Sequence, residues 1–395
     1  MHRYRSSEGF SLLLLLLAAA VCSSTTTAAA QPIKAAYWPS YSSSTFPASS
    51  IDFSYFTHVL YDFVQADPAS FEAVVTPSDA QALPGFVAAA HGSNAKALLS
   101  FGGGDAKTTF PSLVSSRPAR TSFINSAVAA ARTYGLDGLD LDWEYPADVD
   151  QMGQLGDLLT EWRTAIDAEA ANSGRPKLLL TAAVYFSRSL LSLDSNPRSY
   201  PIQILASSLD WINAMCYDYH GSWDTTVTGA PAALYDPKSN ISTSYGIDSW
   251  ISAGFPSEQV VMGMPLYGRT WQLKNPVDNG IGAPAVGIGP GNQEDGTMVY
   301  SAIVEFNKKN GATRVYDSST VSTYSYSGTS WIGYDDPESV TNKVEFAKAR
   351  GLGGYFFWAL GFDDGDWSVS AAVLTNCSTK VHKEDTSSSA LAGSI

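Results

Sequence analysis

Three acids recur at every second position within the segment Gly135–Pro146, namely Asp140, Asp142 and Glu144. A β-strand sends successive side chains to opposite faces, so these three share one face, while Leu139, Leu141 and Trp143 take the other. Residues two apart on a strand stand about 7 Å apart along the backbone, close enough for their carboxyls to share protons. Burying three ionised carboxylates without partners is costly. Mutual repulsion therefore keeps at least one of them protonated near neutrality. A protonated carboxyl at the open end of a strand is suited to general acid catalysis. Glu144 is nearest that end and has the longest side chain, so it is the expected proton donor. Two other uses of the same residues stand beside this one. A D-x-D-x-E pattern can bind Mg²⁺ or Ca²⁺, although the calcium loop of an EF-hand needs a glycine-turned loop rather than a strand. The acids could also form a purely structural hydrogen-bond ladder. Asp137 has the opposite parity and reads as support at the strand entry.

Positioning such a strand calls for a scaffold, and the pattern along the chain supplies one. Short apolar or β-branched runs fall at Ile33–Trp38, His58–Phe63, Ala97–Gly102, Gly138–Glu144, Leu178–Phe186, Trp211–Tyr217, Val260–Tyr267 and Gly354–Ala359. Helical patterns such as Ala119–Tyr134, Asp148–Asn172 and Glu338–Arg350 lie between them, the last stopped by Gly351. Strands alternating with helices in this way predict an α/β fold of the (β/α)8 TIM-barrel type, whose chemistry sits at the C-terminal ends of the strands. One interval breaks the rhythm. About seventy residues separate Tyr267 from the helix at Glu338, too many for an ordinary loop. They hold a helical piece, Tyr300–Asn310, and β-rich stretches at Thr313–Tyr316 and Val321–Tyr326. The expected layout is a catalytic barrel over 31–270 and 334–378, with a small α+β insertion over 271–333.

The ends read differently. Arg3 and Arg5 precede an apolar run, Phe10–Ala20, that includes six consecutive leucines, and small residues follow to Ala30. This is the layout of a secretory signal peptide over residues 1–30. The apolar core is shorter than the roughly 20 residues a spanning helix needs, and no later segment is long and apolar enough, so no membrane partner is expected. Residues 379–395 are Ser-rich and poor in apolar side chains, the composition of a disordered tail. A net charge of −14 repels phosphate backbones and argues against a nucleic-acid partner. The 10 Trp and 20 Tyr are compatible with a sugar-binding cleft, where flat rings lie against pyranose faces. Outside the leader only Cys216 and Cys377 remain, so no disulfide framework is present, and their pairing is open. Asn240-Ile-Ser and Asn376-Cys-Ser are glycosylation sequons.

The acid segment Asp137–Glu144 resembles the D-G-x-D-x-D-x-E pattern of glycoside hydrolase family 18, and the chain from Ile33 to Leu374 resembles a plant class V chitinase. Ser100-Phe-Gly-Gly103 resembles the family's S-x-G-G motif on strand three, and Met215-Cys-Tyr-Asp218 its M-x-Y-D motif on strand six. Pro265-Leu-Tyr-Gly268, Trp331-Ile-Gly-Tyr-Asp-Asp336 and Trp358 follow in the family's order. Met215 and Tyr217 share parity, so both face the barrel while Cys216 points outward. Gly102 and Gly103 read as positions of close backbone approach or a bulge.

What the resemblance implies is retaining, substrate-assisted hydrolysis of β-1,4 bonds in chitin or chitooligosaccharides, without cofactor or metal. Glu144 would protonate the glycosidic oxygen, and the substrate's own acetamido group would attack the anomeric carbon. Asp142 would orient the acetamido N–H, Asp140 would hold Asp142, and Tyr217 would bond the acetamido oxygen. Trp358 would form the floor under the sugar. Met215, Asp218, Tyr267, Arg269, Tyr37 and Phe63 would line the cleft. A monomer is expected, secreted, or directed to the vacuole by the tail Val381–Ile395. Plant relatives often carry an aromatic residue at the position of Arg269 and an alanine at that of Asp62. Two rival functions share the same barrel. One is a chitin-binding lectin or inhibitor, and the other is a hydrolase of lipochitooligosaccharides or N-glycan cores.

Overall fold

The computed structural model describes residues 31–104, 106–190 and 195–375. The leader over 1–30, the tail over 379–395, Cys377 and the Asn376 sequon lie outside the described residues. From Pro32 onward, eight parallel strands follow one another: β1 (Ile33–Pro39), β2 (His58–Ala66), β3 (Lys96–Gly102), β4 (Gly138–Asp142), β5 (Leu179–Tyr185), β6 (Trp211–Met215), β7 (Val260–Pro265) and β8 (Gly354–Trp358). Each pairs with its neighbours in chain order, and β1 pairs with both β2 and β8, which closes the ring. The expected (β/α)8 barrel is the fold.

The alternation of side chains divides the apolar residues into two layers. Ala35, Leu60, Leu98, Val261 and Phe356 fill the barrel interior. The opposite parity, including Leu139, Leu141, Leu180 and Ile212, packs outward against helices. The helix Arg117–Tyr134 starts where the Ser116 hydroxyl accepts from the Ala119 N–H, and it ends at Gly135 in the left-handed conformation. That turn delivers the chain directly into β4, since a glycine takes a positive φ without a Cβ clash. After the acids, the Asp148 carboxylate accepts from the Gln151 N–H and starts the helix Val149–Ser173. The β1–β2 connection holds only short 3₁₀ turns, at Ser40–Ser42, Ala48–Ser50 and Phe53–Tyr55, because its Ser- and Pro-rich sequence carries no helical period.

The insertion is an antiparallel sheet in the order Ala285–Ile288, Tyr267–Leu273, Ser330–Tyr334, Ser322–Ser327, Thr313–Asp317, with the helix Tyr300–Asn310. It has its own core, in which Trp271 and Trp331 are fully buried beside Leu273 and Tyr324. Its sheet starts at Tyr267 and ends at Tyr334, so Tyr267 and Arg269 belong to the insertion rather than to the barrel. The strand β7 stops at Pro265, which has no N–H to extend a ladder. Among the described residues no helix is long and apolar enough to cross a membrane.

Candidate active site

Asp140 and Asp142 point into the barrel from β4, and both are buried. The strand ends at Asp142, so Glu144 stands beyond it at the mouth rather than on the strand itself. Asp140 is fully enclosed, and its oxygens are served by four side chains. Tyr37 Oη and Ser100 Oγ donate to Oδ2 at 3.0 and 2.7 Å. Thr181 Oγ1 and Asn213 Nδ2 donate to Oδ1 at 2.5 and 3.4 Å. The strand register makes this possible, since Ser100 on β3 and Thr181 on β5 lie directly beside Asp140. Burial raises the Asp140 carboxyl above the ordinary range, and these donors pull it back.

Asp142 has no such support. Its Oδ1 is buried without a hydrogen-bond partner among the described residues. Burial pushes its carboxyl well above the usual range, and the charges of Glu144, Asp140 and Asp62 push the same way. Asp142 and Glu144 therefore titrate as a pair that retains a proton where isolated carboxyls would have lost theirs. The close packing here depends on two glycines. A Cβ on Gly102 would stand 2.0 Å from the Asp142 carbonyl oxygen, and one on Gly103 would stand 2.6 Å from the Phe63 ring.

Glu144 opens on a cavity of about 760 Å³, whose wall includes Met215, Tyr217, Asp218 and Trp223. Burial drives the Tyr217 hydroxyl well above its ordinary range, and the charges of Tyr267, Asp142, Glu144 and Asp218 add to it, so it stays an O–H donor. Trp358 lies at the end of β8, stacked on Phe63 with ring centres 5.6 Å apart, and packs against Tyr37 at 5.5 Å. The peptide bonds Asp62–Phe63, Glu144–Tyr145 and Trp358–Ala359 are cis. Arg269 crosses from the insertion. Its Nε and Nη2 donate to Asp218 Oδ1 at 2.9 and 2.7 Å, and its Nη1 donates to Asp295 Oδ2 at 2.7 Å. The guanidinium also lies over the Trp223 and Tyr267 rings.

The structure thus gathers Glu144, Tyr217, Met215 and Asp218 on the wall of one cavity, with Asp140 and Asp142 earlier on β4, while Tyr267 packs against Tyr217, Arg269 pairs with Asp218 and Trp358 stacks on Phe63. Tyr37 sits deeper than a cleft-lining residue, being 1% exposed with its hydroxyl on Asp140. Cys216 is a buried free thiol in the outer layer, and burial pushes it up to about 12. Tyr145, Tyr185, Phe186 and Trp223 also line the cavity, although the sequence reading did not single them out. Only Tyr185 carried a signal, since it shares the parity of Thr181 on β5. Among the described residues no group of three or more His, Cys, Asp or Glu side chains is arranged to hold a metal ion.

The model of the glycosyl hydrolases family 18 matches residues 34–363. The chain belongs to glycosyl hydrolase family 18. Among family 18 relatives, a class V chitinase of Lotus japonicus is 51% identical over 341 residues, covering 86% of this chain and 84% of that one. Nod factor hydrolase protein 1 of Medicago truncatula is 48% identical over 347 residues, covering 86% of this chain and 89% of that one. A mutant family 18 chitinase of Cycas revoluta, solved in complex with (GlcNAc)4, superposes with a TM-score of 0.83 at 43% identity. It covers 87% of this chain and 99% of that chain.

Proposed function

We propose that the protein is a chitinase, which cuts β-1,4 bonds between N-acetylglucosamine units by a retaining, substrate-assisted route. The observation that carries this reading is the line of Asp140, Asp142 and Glu144, rising from a saturated hydrogen-bond network to an open cavity. Glu144 protonates the leaving glycosidic oxygen. The acetamido oxygen of the same sugar attacks the anomeric carbon and displaces the leaving group. Asp142 accepts the acetamido N–H and balances the positive oxazolinium ion, while Tyr217 donates to the acetamido oxygen. Glu144 then takes a proton from water, which opens the ring with the β configuration retained.

The binding-protein alternative is not favoured, because the proton donor lines the cavity and its partner acid stands two residues before it at the end of β4. A relative of 51% identity named as a chitinase, and a family 18 chitinase of 43% identity solved with (GlcNAc)4, support a substrate built on N-acetylglucosamine. We also infer a monomer exported through the leader over residues 1–30. Mass analysis of the products from a chitin hexamer tests the function. Shorter N-acetylglucosamine oligomers are expected, and an intact hexamer that binds without being cut would make the protein a lectin. Sequencing the N-terminus of the exported protein tests the leader.

A further inference from the structure

Asp62 is a carboxyl that the mechanism above does not use. It lies on β2 between Tyr61 and Phe63, where the pairing with β3 slips its register. Leu60, two residues earlier, is in the barrel interior, while Tyr61 and Val64 belong to the outer layer. Asp62 is completely buried, and neither of its oxygens has a hydrogen-bond partner among the described residues. Asp62 interacts electrostatically with Asp140 and Asp142 from β4, with Tyr41 from the segment after β1 and with Tyr61 from its own strand.

An unpartnered buried carboxylate beside two other acids is a poor state for the chain, so Asp62 carries its proton. Burial and the Asp140 charge both push its carboxyl well above the ordinary range. A neutral carboxyl has one O–H to give. Asp140 has no need of it, since four side chains already donate to its oxygens. Asp142 Oδ1, by contrast, is a buried acceptor without a donor, and Asp142 lies within electrostatic reach of Asp62.

We propose that Asp62 is a positioning residue for the reaction, a neutral carboxyl whose O–H donates to Asp142 Oδ1 and holds Asp142 as the carboxylate. The Asp142–Glu144 pair shares one proton in its active form, and productive chemistry needs that proton on Glu144. A donor at Asp142 favours that arrangement over the reverse. Asp62 touches no substrate in this account and acts only through Asp142. The inference rests on the chitinase reading for its kinetic consequences, but not for the protonation state of Asp62 itself.

The test compares wild type, Asp62→Ala and Asp62→Asn in kcat/KM against pH, on a soluble N-acetylglucosamine pentamer. Alanine removes the donor, so Asp142 takes up a proton at higher pH. The acid limb is expected to rise by about one pH unit, and kcat to fall about tenfold, the size of one hydrogen bond to a charged group, with KM little changed. Asparagine keeps an N–H in the same place and is expected to restore the acid limb. An unmoved acid limb in Asp62→Ala would overturn the proposal. So would an alkaline limb lowered in Asp62→Asn, because that shift would mean Asp62 had been an anion. Infrared difference spectra of wild type against Asp62→Asn at neutral pH supply a readout independent of turnover. A protonated-carboxyl band lost in the variant is expected, and its absence in wild type sinks the idea even if the enzyme is active. Wild-type inactivity toward the pentamer would instead count against the chitinase reading.

Discussion

The Tyr37 hydroxyl on β1 donates to Asp140 Oδ2 on β4 at 3.0 Å, and Asn213 Nδ2 on β6 donates to the same Tyr37 oxygen at 2.9 Å. Tyr37 therefore belongs to the support of the acids, not to the surface of the cleft. Tyr37→Phe removes one donor from a buried carboxyl already raised by burial, and so raises it further. A folded-state value raised above the unfolded one means stability present at low pH and lost as pH rises. The variant is thus expected to lose about 1.5–3 kcal/mol at neutral pH and less in acid. Urea melts at both pH values check it, and an equal loss at each would mean the bond does not depend on the Asp140 charge.

Removing the proton donor isolates chemistry from folding. Glu144→Gln is expected to keep the fold and oligomer binding while turnover drops at least ~10²-fold, the low end for a general acid. Circular dichroism, calorimetric binding of a tetramer and a turnover assay together decide it. Comparable hydrolysis by the variant would take Glu144 out of the role.

Asp142 and Glu144 repel each other, so the pH dependence of kcat/KM should be bell-shaped. Its acid limb marks entry of a second proton into the pair, and its alkaline limb marks loss of the last. Asp142→Asn removes the neighbouring negative charge, which lowers the proton affinity of what remains. The alkaline limb is expected to move to lower pH, with a reduced rate throughout. Asp140→Asn should shift it the same way but less. A limb left in place by Asp142→Asn would refute the shared proton.

Attack by the acetamido group leaves a stereochemical mark. Proton NMR of the first products is expected to show the β-anomer, and a thiazoline analogue of the oligomer should inhibit. Initial α-anomer would point to direct attack by water. Cellulose oligomers lack the acetamido group and should remain uncut.

Parity made the acid face legible in advance, because Asp140 and Asp142 obey the two-residue period of the strand in which they lie. Glu144 obeys it in sequence but lies past the strand end, where the two-residue period no longer governs the side chain. The helix Tyr300–Asn310 appears with the expected ends, because its apolar pattern is bounded by Val299 and the positive-φ Gly311. The cavity wall was harder to read. Trp223 sits in the loop after β6, and no local period indicates that its indole meets Arg269 from the insertion. That contact depends on how two distant segments fold against each other. The boundary at Tyr267 was missed for a related reason, since a continuous apolar run hides the break at Pro265. Asp62 stood out as a departure from plant relatives, but its lack of partners is visible only once the strands close around it.

The four donors to Asp140 come from β1, β3, β5 and β6, strands spread around the ring. A ring missing any one of them would leave the anion short of a donor that no neighbour on the same strand can replace. Completing the cylinder and making its centre tolerate negative charge are thus a single event. Catalytic competence becomes an internal gauge of correct assembly, and a chain that has collapsed without closing should be compact yet silent toward substrate.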